Sequence, residues 1–235
     1  ALPICTWHHT MNLGFRWAGV DTELFASLVA EGRMGELMAG AEGFGAGDLP
    51  YLFPRPGVVF FMAPKLSGYD CLSVADLTAV EQESRRLMLE MLRYYQAHAP
   101  GFEHAWLLDT APQLGVRHSR RLRGVKTVRR ADWVAGTRHV DEIGQCPSPA
   151  PEVPTISIPL GCLVPEVVDG VVVAGRCLSA DPLSHLHLRE IPICWVTGQA
   201  AGVAAALAAR QGCEMREVAV ADVQRELVRQ GAKLG

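Results

Sequence analysis

The feature that narrows the fold most lies in the last third of the chain. Val171-Val-Val-Ala174 is an uninterrupted apolar run between Gly170 and Gly175. A strand with one wet face alternates polar and apolar residues. A continuous run needs cover on both faces, as a strand inside a parallel α/β sheet has. A polar loop follows from Arg176 to Leu188, and then a helix from about Arg189 to Arg210. Ile191, Ile193, Val196, Ala200, Val203, Ala204 and Leu207 spread round that helix, which predicts burial on most sides. Pro192 is tolerated only in a first helical turn, where its missing N–H would have no partner anyway, so the helix begins close to Arg189. Gly198 and Gly202 leave one side flat, which reads as close packing against the sheet.

Composition sets the limits around this unit. The 235 residues are 49% hydrophobic and 20% charged, which excludes a disordered chain. Lys+Arg 22 against Asp+Glu 25 gives a net charge of −3, so nucleic acid is not an expected partner. The apolar stretches are short or broken by glycine and polar residues, so no membrane-spanning helix is expected. The start, Ala1 to His9, lacks the basic and apolar regions of a secretory signal. Cys5, Cys71, Cys146, Cys162, Cys177, Cys194 and Cys213 contain no C-x-x-C pair. Their odd number argues against a disulfide framework and favours free thiols in a reducing cytoplasm.

Earlier in the chain, residues 10–20 read as a strand, and Asp21 or Thr22 as the cap of a helix reaching about Met38. Residues 40–57 read as a loop; its Gly43-Phe-Gly45-Ala-Gly47 only superficially resembles a phosphate cradle, with Pro50 where a helix should start. Val58–Met62 and Tyr69–Val74 read as a hairpin about Ser67-Gly68. Thr78-Ala-Val-Glu81 has the capping-box pattern, followed by a stripe of Val80, Leu87, Met88, Met91, Leu92 and Tyr95 that ends at Ala99-Pro-Gly. Residues 105–112 read as a buried strand, with further strands at 138–143 and 156–159. A proline-rich connector runs from Pro147 to Pro154, and Asp222 reads as the cap of a last helix ending at Gly231.

A buried strand, a polar loop at its carboxyl end and a returning helix are the usual place for a site in open α/β sheets. The helix start carries partial positive charge and N–H donors, which suits a phosphate or a planar group with carbonyl edges. His185 and His187 allow an active-site role, a structural role or a metal site, though their spacing fits no common zinc template. The run Arg117, Arg120, Arg121, Arg123, Lys126, Arg129 and Arg130 reads either as a solvated surface or as part of an active site. Cys194 reads as core, and Cys177 lies at the mouth of the candidate site.

Specific motifs extend this reading. They are Ala174-Gly-Arg176-Cys-Leu-Ser179-Ala180, then His185, Arg189, Pro192 and Cys194, then Gly198-Gln-Ala-Ala-Gly202 with Ala204-Ala-Ala-Leu207. Upstream stand Asp76-Leu-Thr78, Pro100-Gly-Phe-Glu103, Gly115-Val-Arg117 with Ser119-Arg120-Arg121 and Gly124, and Ile158-Pro159 with Leu163 and Pro165. Together they resemble the C-terminal half of the FAD-dependent oxidoreductase family of glutathione-reductase-like flavoproteins.

The resemblance implies an α/β chain. Residues 1–145 would form an α+β substrate-binding or cap domain. Residues 146–235 would supply the last strand and helix of an incomplete FAD/NAD(P)-binding Rossmann-like fold. It implies FAD as cofactor, with Gly175, Arg176, Cys177, Ser179, Arg189, Ile191, Gly198 and Gln199 beside it and the helix start at the flavin N1/C2=O edge. His185, Arg117 and Arg120 would be catalytic, with no metal. The implied reaction is hydride transfer from a small organic substrate to flavin N5. The family's opening strand, G-x-G-x-x-G and helix have no counterpart in residues 1–235. The alternative is therefore a non-catalytic subunit or remnant that needs a complementary N-terminal FAD-binding polypeptide. His118, His187 and Pro182-Leu183 depart from the family pattern. A metal-dependent hydrolase using His185 and His187 is a third reading.

Overall fold

The computed structural model describes residues 10–34, 40, 41, 43, 50–150, 152, 153 and 155–235. Packing divides the chain into two compact units, His8–His118 and Ser119–Gly235. This division precedes the boundary expected after residue 145, because the chain from Leu122 onward is bonded to later residues. Leu122 N–H donates to Cys177 O (2.8 Å), Val125 to Val164 O (2.9 Å), Lys126 to Gly161 O (3.0 Å) and Val128 to Ser179 O (3.1 Å).

The first unit contains β1 (Met11–Asn12), β2 (Phe15–Ala18), α1 (Thr22–Ala30), β3 (Tyr51–Leu52), β4 (Val58–Phe61), β5 (Lys65–Leu66), α2 (Val74–His98), β6 (Trp106–Thr110) and β7 (Gly115–Val116). The strands form two antiparallel sheets, ordered β5-β1-β7 and β3-β4-β2-β6. The single strand expected over residues 10–20 is thus two, interrupted at Leu13-Gly14 and paired in different sheets. Trp17 holds the core, with ring centroids 4.4 Å from Phe61 and 5.3 Å from Tyr95. Burying such side chains contributes roughly 1.5–3 kcal/mol each.

Local chemistry sets the helix ends. Asp21 accepts the Leu24 N–H at 2.9 Å and caps α1, as expected. That helix closes at Glu31, and the expected extension to Met38 runs outside the described residues, as does most of the Gly43–Gly47 loop. In α2 the cap is Ser73, which accepts the Asp76 N–H at 3.2 Å. Thr78-x-x-Glu81 therefore lies within the helix and not at its start. Thr78 donates to Val74 O at 2.9 Å, and Glu81 pairs with Arg85 at 2.5 Å. The stripe is placed as expected: Val80, Leu87, Met88, Met91 and Tyr95 are buried. Residues 69–73 form no strand, and Lys65–Leu66 pairs with β1. The segment expected to be a buried strand is β6, at a sheet edge with Trp106 exposed.

The second unit contains α3 (Arg130–Val134), β8 (Glu142–Pro147), β9 (Thr155–Pro159), a 3₁₀ turn at Leu160–Cys162, another at Gly175–Cys177, α4 (Pro182–Leu188), α5 (Ile191–Gln211) and α6 (Val220–Arg229). Strands β8 and β9 form an antiparallel hairpin, beginning later than the expected 138–143. Its core joins Ile143, Ile156 and Ile158 to Ile193, Ala200, Ala204, Val223 and Leu227. At Gly144 a Cβ would run into Val196, so glycine lets β8 and α5 approach closely. Ala219, not Asp222, holds the cap position of α6; Asp222 sits inside the helix and pairs with Arg225 at 2.9 Å.

Residues 171–174 form no strand, and Val171 is 41% exposed. A doubly covered strand needs neighbours on both edges. Among the described residues the named strands all pair antiparallel, and the one parallel contact is the isolated bridge Val128–Ala180. The all-round burial expected of α5 is also corrected. Ile193, Thr197, Ala200, Ala201, Val203, Ala204 and Ala208 are buried, but Ile191 is 67% and Trp195 71% exposed. Gly198 and Gly202 have nothing within 4 Å of where a Cβ would stand, so they do not pack against a sheet. By length and composition alone α5 is long and apolar enough to cross a membrane, a test that the core helix of a globular unit also passes. Here its buried side makes it the core helix of the second unit.

Candidate functional site

The second unit brings the turn Gly175–Cys177 against the start of α5. Gly175 has φ +72°, a left-handed conformation that strains a residue with a side chain. Its N–H donates to Thr197 Oγ1 at 3.0 Å, and that hydroxyl donates to Ile193 O at 2.9 Å. Thr197 is fully buried, so the turn is fastened to the helix through a satisfied polar chain.

The polar loop expected over residues 176–188 is largely helix α4. Asp181 caps it, accepting the Ser184 N–H at 2.7 Å and the Arg130 N–H at 2.6 Å. Pro182 occupies the first turn, where it needs no N–H partner. Trp133 Nε1 donates to Ser184 Oγ at 2.9 Å, tying α3 to α4.

His185 therefore lies on a helix and is 0% exposed. Its Nε2 stands 2.6 Å from Arg176 O. A carbonyl can only accept, so Nε2 carries the proton and Nδ1 is the basic nitrogen. Burial pushes the imidazole down to about 4, and the charges of Arg121, Arg189 and Arg176 act in the same direction. The hydrogen bond to Arg176 opposes them. The ring is neutral at pH 7. His187 lies two residues on, about 200° round the helix. Its ring meets Trp133 edge-on at 6.4 Å. Among the described residues no three His, Cys, Asp or Glu side chains gather as a metal site.

The tip of α5 is open but offers fewer amides than expected. Glu190 O accepts the N–H groups of both Ile193 and Cys194 at 3.0 Å. Pro192 has none, which leaves the amide of Ile191 at the exposed end. Arg189 closes α4 and pairs with Glu190 at 3.3 Å.

The remaining residues singled out from the sequence fall in different settings. Arg176 and Cys177 are exposed beside Gly175. Ser179 is buried, with its hydroxyl 2.9 Å from Thr127 Oγ1, so it serves the fold. Gln199 is exposed and donates to Gln230 at 3.0 Å. Arg117 is half-buried in the first unit, whereas Arg120 is exposed in the second, as is Arg123, which pairs with Glu166 at 3.7 Å. Cys177 is the one exposed thiol among the described cysteines; Cys146 and Cys162 are buried, and Cys194 is half-buried rather than core. Burial pushes the Cys146 thiol up to about 11 and raises Cys162 as well. Sequence reasoning missed Thr197 and Asp181 as anchors. The Asp181-Pro182 pair was the available signal for the second.

The family model described as FAD dependent oxidoreductase matches residues 51–227. No curated protein and no solved structure matches the chain.

Proposed function

The chain belongs to the FAD dependent oxidoreductase family, with FAD as its cofactor; from that premise we propose that it supplies the substrate-binding part and the C-terminal cofactor-binding segment of a flavin oxidoreductase. The observation that carries this reading is the Gly175–Cys177 turn, fastened through Thr197 to the open tip of α5.

The residues there fit one edge of a flat ring. Gly175 presents backbone without a Cβ, Arg176 and Cys177 are exposed, and the Ile191 end of α5 is uncovered. Ser179 and Gln199 fit less well, because their polar groups are already engaged. In this reading Gly175, Arg176, Cys177, Arg189 and Ile191 hold the ring, and Gly198 lies further along the exposed side of α5. FAD, when bound, would supply the redox chemistry, for which the proposed reaction is acceptance at N5 of a hydride from an organic substrate. The α5 dipole and the Ile191 N–H would favour negative charge on a ring edge held at this tip, which in this reading would be the N1/C2=O edge. Arg120 is proposed to hold a substrate carboxylate or carbonyl; Arg117, in the first unit, is left out of this site. His185 is proposed to accept a proton at Nδ1, which requires its basicity to rise above that of the present buried ring.

A second reading is favoured by two observations, the run Val171–Ala174, which forms no strand and is tied by the Val173 N–H to Leu163 O, and the bare side of α5. In it, residues 171–174 become a strand of a Rossmann-like sheet, and FAD binds only with a complementary N-terminal polypeptide. Reconstitution with FAD, read by flavin absorbance after desalting, separates the two. Retained yellow colour in the chain alone supports the first. Retention only after adding a co-purifying polypeptide supports the second. Absence of flavin in both refutes the reading.

A further inference from the structure

Arg121 is 3% exposed, with no acid against it among the described residues. Its Nη1 donates to Ala180 O at 2.9 Å. Its Nε and Nη2 are both buried and have no hydrogen-bond partner. A guanidinium is always charged, and a buried charge left without a partner destabilises the fold that holds it. Nε–H and Nη2–H point from the same edge of the planar group. That edge is the fork that pairs side-on with a carboxylate through two parallel hydrogen bonds. The one engaged nitrogen, Nη1, anchors the group to Ala180 and leaves the fork intact.

The surroundings reinforce the demand for an anion. The neutral His185 ring feels the positive charges of Arg121, Arg176 and Arg189 together. The nearby carboxylates are committed elsewhere: Asp181 accepts the Ser184 and Arg130 amides, and Glu190 pairs with Arg189. Arg121 is also held at its backbone, because Leu122 N–H donates to Cys177 O in the turn described above.

We propose that the Nε–Nη2 edge of Arg121 is a carboxylate-binding fork, and that the substrate taken at this site carries a carboxylate. This rests on the oxidoreductase reading for the identity of the ligand as substrate, but binding itself requires no cofactor. The fork is closed to water as it stands, so a carboxylate reaches it through a local opening. Association is therefore slower than docking to an open surface.

The test uses the full chain without FAD. Thermal unfolding is followed while sodium benzoate replaces chloride at constant ionic strength, with inorganic phosphate as a second arm. A saturable rise in Tm with benzoate is expected, absent in Arg121→Met and Arg121→Gln. In Arg121→Lys the apparent affinity falls about tenfold, because a point charge replaces the fork. The exposed Arg123→Gln leaves the response unchanged. Without ligand, Arg121→Met is expected to unfold at or above the wild-type temperature, since it removes an uncompensated charge. A purely structural Arg121 would instead lower it. Equal benzoate responses in wild type and Arg121→Met, or no response in wild type, overturn the proposal. A response to phosphate alone also overturns it and assigns the fork to a phosphate group. Flavin retention is scored separately, so failure to retain FAD both alone and with a co-purifying polypeptide, with an intact benzoate response, would refute the oxidoreductase reading and leave the fork standing.

Discussion

Replacing His185 by Gln isolates the energetic consequence of burying a neutral imidazole. Unfolded, the ring has its ordinary value near 6.5; folded, burial lowers it to about 4. As pH falls below 6.5 the unfolded state takes up a proton that the native state refuses. The folded form therefore loses stability on acidification through this window and levels off below about 4. Linkage across these two values gives a loss of about 2 kcal/mol between pH 7 and pH 5. The side chain is 0% exposed, so solvent screening does not dilute the effect. Denaturant unfolding at several pH values, in wild type and His185→Gln, isolates this contribution as the difference in slope. Other titrating groups cancel in that comparison, as does any constant cost of losing the bond to Arg176 O. The variant should show the flatter profile between pH 7 and pH 5. Parallel profiles, or an imidazole that titrates near 6.5 by NMR, would refute the reasoning.

Four other substitutions probe the supports of the site and of α5. Asp181→Ala removes the cap of α4 and the acceptor for Arg130 N–H, and should lower unfolding free energy by about 2–4 kcal/mol in urea titrations. Thr197→Val keeps the shape but leaves the Gly175 N–H without its acceptor; a loss of about 1–3 kcal/mol is expected by the same measurement. Gly144→Ala forces a methyl into Val196 and should lower Tm, at a cost of about 1–3 kcal/mol, whereas Gly198→Ala, on the open side of α5, should leave Tm unchanged or raise it.

What the residue pattern disclosed depended on the range of the forces involved. The α2 stripe was legible because helical period and core burial coincide at Val80, Leu87, Met88, Met91 and Tyr95. The start of that helix was not. Ser73-x-x-Asp76 and Thr78-x-x-Glu81 are both plausible caps, and only the backbone path after β5 selects the first. Val171–Ala174 reads as a doubly covered strand, yet strand formation requires partners, and composition alone cannot supply them. The ring of apolar residues on α5 concealed a difference between its two sides, because alanine and glycine mark a packed face and an open one alike. At the candidate site, the Gly175 turn and His185 were legible from their motifs. Arg121 was one arginine in a basic run, and only its burial separates it from exposed Arg120 and Arg123.

The distribution of thiols also provides a ready-made probe. Alkylating reagents attack the thiolate, and burial withholds it from Cys146 and Cys162. Among the described cysteines, Cys177 alone stands open to solvent, next in sequence to Arg176. A maleimide dye attached there sits at the rim of the turn with no engineered cysteine required. If the turn takes a ring or a carboxylate as proposed, the emission changes on binding and the labelling rate falls as the occupant shields the rim.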